Sequence, residues 1–328
     1  MKDLKVVFMG TPIFSVPILE NLIMNTNVIG VVTSPDAYVG RKKILTPCPV
    51  KKCALEYGIK VYSPIKIRDD YEFLKELNPD IIITCAYGQI VPKGVLDIPR
   101  LGCVNIHASL LPKYRGGAPI HYAIMNGDEY TGITLMYMDV GMDSGDMIAS
   151  SKIKIEDNDN LESLSNKLSE LGASMIIEHL PSIINGTNER IKQNEDEVTF
   201  CPIIKREDEH LDFSDKAIKI YNKVRALSPS PLANFILDDL EYKIAECMVV
   251  DANGEAGKIV SEDKKSFTIM AQDKGIKVTK IKPMGKNIMN VSDFKNGYHD
   301  VLVGKVIRWK KKKRKQKKLV KWLYLKNN

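Results

Sequence analysis

Asn105 and His107 stand two residues apart in CVNIHASLLPKYRGGAPI, Cys103–Ile120. In a strand that spacing sends both side chains out of one face. Cys103, Val104 and Ile106 suit a buried strand; an amide and an imidazole do not. The apolar run gives way at once to a basic turn containing Gly116 and Gly117. Strand ends of this kind are where open α/β sheets carry their chemistry. An Asn amide can donate to a developing oxyanion. A His can act as general acid or base near neutral pH. A hydrogen-bonded polar pair plugging a strand end would use the same residue types, so the pair by itself leaves both uses open.

A second polar group lies in MDVGMDSGDM, Met138–Met147, which sets Asp139, Asp143 and Asp146 among glycines. Taken alone, it also fits an ordinary turn or a weak cation loop. Its spacing is not that of an EF-hand, and no bidentate Glu follows, which argues against calcium. An aspartate brought against His107 would orient the imidazole and stabilise its protonated form. No serine or cysteine is evidently placed as a nucleophile. These residue types favour direct attack by a substrate amine on a bound acyl donor.

The flanking segments must hold these residues. LKVVFMG reads as a strand ending at Gly10, and Phe14, Ile18, Leu22 and Ile23 share one face of the helix that follows. VIGVVTS (Val28–Ser34) is a second strand, VKKCALEYG a helix closed by Gly58, and Ile81–Cys85 a further strand before Cys103. Strands alternating with helices at βα spacing predict a mostly parallel sheet. FMGTP is not G-x-G-x-x-G, and no ribose-binding acid follows at the expected distance, so a dinucleotide site is excluded. The turn can still present free N–H groups to an anion or carbonyl. A long helix is predicted over residues 160–177. From about Gln193 the chain becomes acidic and irregular, as in a linker. KAIKIYNKVRAL then reads as a helix, and short strand-like runs after it predict a small β-barrel.

The 328 residues suit two domains. The boundaries expected are 1–190, a linker over 191–208, a second domain over 209–305 and a basic tail over 306–328. Twelve of the 48 basic side chains fall from Val301 onward, where no Asp or Glu occurs, so the net charge of +7 is a property of the tail. Concentrated positive charge points to a polyanionic partner, although a solvated, disordered tail has the same composition. Six scattered cysteines without a CxxC pair, together with five histidines, make no zinc site and suit reduced thiols. No apolar run nears the ~20 residues of a membrane span, and the N-terminus reads as a strand, not a signal peptide. A cytoplasmic protein is expected.

NIHASLLPKYRGGAPI followed by MDVGMDSGDM resembles the formyltransferase family that uses 10-formyltetrahydrofolate. The family's catalytic pattern is Asn-x-His, then SLLP, then an Asp some 36 residues on; Asn105, His107 and Asp143 match it. The resemblance covers residues 3–305 and implies an α/β fold. A Rossmann-like formyltransferase domain would be followed by a smaller OB-like β-barrel domain. It implies a folate pocket at Ala86, Tyr87, Gly88, Gln89 and Ile90 and at Ser109, Leu110, Leu111 and Pro112. It implies 10-formyltetrahydrofolate as donor and no metal. FMGTPIFSVPIL and SPDAYVGRKKILTPCPVK resemble the members whose acceptor is initiator methionyl-tRNA, as do KREDEHLDFS, VRALSPSPLA and KPMGKNIMNVSDF. Arg41, Lys42 and Lys43 would then neutralise phosphates at the tRNA acceptor end, whereas on their own they fit a solvated loop. Ser230 departs from the family, where a large aromatic is common. So does the tail, which is expected to be disordered or a non-native extension. A monomer is expected.

Overall fold

Val6, Val7, Phe8 and Met9 are all completely buried in the first strand. Their unbroken apolar run is what a parallel strand covered on both faces requires. The computed structural model describes residues 1–40, 42–298 and 300–308. The chain divides into two compact units, one of residues 1–205 with 225–230, the other beginning at Arg206 and resuming at Pro231.

In the first unit the strands are β1 (Lys5–Gly10), β2 (Asn27–Val32), β3 (Ala37–Val39), β4 (Ile44–Thr46), β5 (Val61–Tyr62), β6 (Ile81–Cys85), β7 (Cys103–His107), β8 (Tyr130–Tyr137) and β9 (Met147–Lys154). Seven of them form one sheet in the order β5-β2-β1-β6-β7-β8-β9. The pairings from β5 to β7 are parallel, and β8 and β9 add on antiparallel. Alternate residues of β1 serve opposite faces. Val6 and Phe8 pack with Ile18 and Leu22 of α1 (Val16–Asn25) and with Leu164, Leu168 and Ile176. Val7 and Met9 pack with Ile67, Leu74 and Val95. Strand order reverses between β1 and β6, and in sheets of this kind the crevice beyond the carboxyl ends at such a switch point is the natural binding site.

The helix predicted over 160–177 runs further, from Leu161 to Asn185, through Pro181 to an end at Gly186 with φ 67°. Leu180 and Ile183 are buried, and their packing outweighs the break expected from proline. Strands β3 and β4 form a separate hairpin, and Tyr38, Val39, Ile44 and Leu45 on it are exposed. Strand prediction from buried alternation therefore gives no signal there. Residues 191–205, acidic and irregular in sequence, run along the first unit. Ile191 pairs with Met147, and Cys201 N–H donates to Arg115 O at 2.9 Å.

The second unit is antiparallel. Strands β10 (Ala233–Leu237), β11 (Leu240–Val250), β12 (Ile259–Glu262), β13 (Phe267–Met270) and β14 (Gly275–Pro283) follow the order β10-β11-β14-β13-β12. The two edges are joined by residues 306–308: Val306 bridges to Lys258 beside β12, and Arg308 bridges to Ile236 of β10. The sheet is thereby closed into a barrel. Ile307, between these bridges, is only 1% exposed. The boundary expected between Lys305 and Val306 falls inside this closure. The rest of the basic tail, 309–328, lies outside the described residues.

Candidate active site

β6 and β7 pair in parallel with Thr84 opposite Asn105. Thr84 Oγ1 donates to Asn105 Oδ1 at 2.9 Å. On its other side the amide meets the Asp143 carboxylate, which can only accept, so Nδ2 faces it at 3.4 Å from Oδ1 and the two contacts together hold the amide orientation. His107 is 6% exposed and leaves the same face of β7. Its Nε2 lies 2.9 Å from the carbonyl of Tyr114, an acceptor, so Nε2 carries a proton. Nδ1 lies 3.7 Å from Asp143 Oδ2. That distance allows an ion pair when the ring is protonated but exceeds a hydrogen bond.

Asp143 is reached through strain. Its φ is 49°, a left-handed conformation that costs a non-glycine residue ~1–2 kcal/mol. Gly116 N–H donates to its Oδ2 at 2.9 Å. Gly116 has φ 120°, and a Cβ there would meet Cys201 O at 2.8 Å, so glycine alone allows this approach. Asp139 is exposed and accepts the N–H of Val140. Among the described residues, Asp143 is the loop aspartate whose carboxylate meets both Asn105 and His107.

The two predicted folate segments differ in what they present. Ala86, Gly88 and Ile90 are exposed, Ile90 by 82%, at the switch point beyond β6. Ala86 and Gly88 both have positive φ. Tyr87 and Gln89 anchor the segment from within. Thr11 Oγ1 donates to Tyr87 O at 3.1 Å, and Gln89 Oε1 accepts from Ile67 N–H at 2.9 Å. Burial pushes the Tyr87 phenol up to about 12, and its Oη has no hydrogen-bond partner among the described residues. Ser109 is fully buried and spends its hydroxyl on Lys113 O at 2.6 Å. Thr134, opposite His107 on β8, donates to Ser109 O at 2.7 Å and accepts Leu111 N–H at 3.1 Å. Leu111 and Pro112 are buried in the turn so held, and Leu110 is partly exposed.

Lys42 and Lys43 are exposed at the turn of the β3–β4 hairpin, apart from the seven-stranded sheet. Arg41 lies outside the described residues. The reading from sequence did not include Thr84, Thr134, Arg115 or Gln193. Thr84 carried a signal, as the one hydroxyl in the otherwise apolar run IIITC. Gln193 lies 50 residues beyond Asp143 in an acidic stretch and carried none.

Burial pushes the thiols of Cys85 and Cys103 up to about 12 and that of Cys201 up to about 11, so none is a ready thiolate. Among the described residues, no group of three or more His, Cys, Asp or Glu could hold a metal ion, and no helix is long and apolar enough to cross a membrane. An amide and an imidazole converging on a carboxylate beside a switch point suit transfer of a carbonyl-bearing group to an external nucleophile.

The family follows from comparison. Residues 4–180 match the model described as Formyl transferase, and residues 203–299 match the one described as Formyl transferase, C-terminal domain. The chain belongs to the formyl transferase family. It is 46% identical over 302 residues to the methionyl-tRNA formyltransferase of Macrococcus caseolyticus (strain JCSC5402), covering 92% of this chain and 97% of that one. It is 49% identical over 300 residues to the methionyl-tRNA formyltransferase of Bacillus cereus (strain AH187), covering 90% and 96%. Among solved structures, the fold is similar to the N-formyltransferase of Helicobacter canadensis in complex with folinic acid and dTDP-3-aminofucose. The TM-score is 0.64 at 22% identity, over 84% of this chain and 98% of that one.

Proposed function

We propose that this chain transfers the formyl group of 10-formyltetrahydrofolate to the free α-amino group of initiator methionyl-tRNA, yielding N-formylmethionyl-tRNA. The observation that carries the reading is 46–49% identity, across nine-tenths of the chain, to relatives named for that reaction. With that acceptor the protein would work in the cytoplasm, and it would do so as a monomer.

The exposed edge of Ala86, Gly88 and Ile90 and the turn of Ser109, Leu110, Leu111 and Pro112 would hold the folate. Tyr87 and Gln89 support that edge from within. The donor supplies an electrophilic formyl carbon when bound. The acceptor's α-amine, with a solution pKa near ~7.7, is partly neutral at cellular pH and can attack. Asn105 Nδ2 and His107 Nδ1–H are the two donors for the oxygen that gathers negative charge. Tyr114 O fixes the ring through Nε2, so both nitrogens donate when it is the imidazolium. Asp143 supplies the counter-charge and assists proton transfer to the departing nitrogen. Thr84 keeps the Asn105 amide turned the right way. Thr84→Val removes that bond at nearly constant volume. Loss of one buried hydrogen bond costs ~1–1.5 kcal/mol, so kcat is expected to fall roughly tenfold. A change within twofold would mean the amide is held by something else.

Arg41, Lys42 and Lys43 would meet phosphates near the acceptor end. A Lys42→Ala, Lys43→Ala double variant should raise the KM for tRNA and flatten its dependence on salt by roughly one unit of log–log slope per lost phosphate contact. The KM for folate should not move; an equal rise there would contradict the assignment. The function itself is tested by formyl transfer from labelled donor to charged initiator tRNA, with uncharged tRNA and an amino-sugar nucleotide in parallel. Label on the charged tRNA alone supports the proposal. Label on the amino-sugar nucleotide would replace it.

A further inference from the structure

Gln193 lies in the segment that follows the long helix, far in sequence from the Asn-His pair, yet its side chain is buried against the Asp143 loop. Its Nε2 donates to two carbonyls at once, Asp143 O at 2.8 Å and Gly145 O at 2.9 Å. These acceptors flank Ser144, so one amide nitrogen spans the sharpest part of the loop. Its Oε1 accepts from Arg115 Nε at 2.9 Å. Arg115 can only donate, which forces Oε1 toward the guanidinium and Nε2 toward the loop. Arg115 is 4% exposed, and its remaining nitrogens reach Glu195 at 2.8 and 3.3 Å. Two residues before Gln193, Ile191 exchanges both backbone hydrogen bonds with Met147, at 2.8 and 2.9 Å. The loop also lies close against the end of β8: a Cβ at Gly145 would stand 1.9 Å from Tyr137 O.

We infer that Gln193, aimed by Arg115, is a positioning residue for the transfer reaction: it clamps the Asp143 backbone in its left-handed conformation so that the carboxylate faces Asn105 and His107. This rests on the function proposed above. Among the described residues, the Asp143 carbonyl is held by Gln193 and not by the sheet or its helices. Arg115 serves both ends of the arrangement, because the next residue, Gly116, gives its N–H to the Asp143 carboxylate. The segment after the long helix is therefore part of the catalytic apparatus as well as the connection to the second unit.

The test is Gln193→Met, close to glutamine in size but without its donors or acceptor, with Gln193→Glu as a second variant that keeps the Arg115 contact and loses the donors. Displacing a reacting group by about 1 Å can cost ~100-fold. Each variant should lower kcat 30- to 100-fold, with both KM values within threefold. In an Asp143→Asn background, Gln193→Met should add less than threefold, since both changes disable the same group. A lower Tm with kcat per folded molecule unchanged would overturn the inference, as would effects that multiply fully in the double variant. The ring nitrogen resonances of His107, read by NMR without substrate, give an independent readout. They should shift in Gln193→Met, and unchanged resonances would overturn the inference. If the unaltered chain formylates no acceptor, the functional reading fails, and the resonances alone decide whether Gln193 sets Asp143 against His107.

Discussion

Asn105→Ala should reduce kcat for formyl transfer by roughly 100- to 1000-fold, the effect typical of removing one oxyanion donor, worth ~2.7–4 kcal/mol. The effect belongs in kcat because the bond forms only as negative charge develops on the carbonyl oxygen. The KM for each substrate should stay within about threefold of the unaltered chain. The size of the effect rests on preorganisation. Thr84 holds the amide before any ligand arrives, and the Asn105 side chain is partly buried beside Asp143. A water in its place would have to be reoriented in every turnover. Asn105→Asp is a useful companion. It keeps the shape but sets a second carboxylate about where Nδ2 now lies, 3.4 Å from Asp143 Oδ1. Repulsion would then displace Asp143 as well. A loss below tenfold in Asn105→Ala would remove Asn105 from its role and leave His107 as the main donor.

The second large effect is on stability. A chain ending at Gly304 should lose the fold of the second unit, with a fall of ~20 °C or more in its Tm. Such a chain loses four backbone hydrogen bonds: Lys305 N–H with Leu302 O, Lys305 O with Ile259 N–H, Ile307 N–H with Gly257 O, and Arg308 N–H with Ile236 O. At ~1 kcal/mol each, plus ~1.5–3 kcal/mol for a buried isoleucine, the loss approaches the whole stability of a small domain, ~5–15 kcal/mol. It also bares the edges of β10 and β12, so aggregation should accompany unfolding. A chain ending at Arg308 keeps all of these contacts and is the control. Calorimetry of the two truncations decides: a Tm within 3 °C of the control for the chain ending at Gly304 would mean the barrel stands without its closing segment.

Much was legible along the chain because its causes are local. Both faces of a parallel strand are covered, so VVFM and IIIT read as strands without knowledge of their partners. Period two put Asn105 and His107 on one face. The basic stretch at the C-terminus is visible in composition alone. Other features depend on partners remote in sequence. Residues 306–308, Val-Ile-Arg, run straight into the basic stretch, and become barrel wall only because Lys258 and Ile236 lie on either side of them. The hairpin that carries Lys42 and Lys43 exposes its apolar side chains, so burial left no pattern to find.

The site divides in the same way. By itself the sequence determined which residue types were available, an amide and an imidazole at a strand end with three aspartates in a later loop. The folded chain decided which aspartate meets them and in what pose. That choice needs an N–H from Gly116, two donors from Gln193 50 residues beyond Asp143, and a left-handed turn at Asp143 itself. Side-chain periodicity is fixed by bond geometry over a few residues. The conformation of a strained loop is fixed by whatever packs against it, and here that chain arrives from the far side of a 25-residue helix.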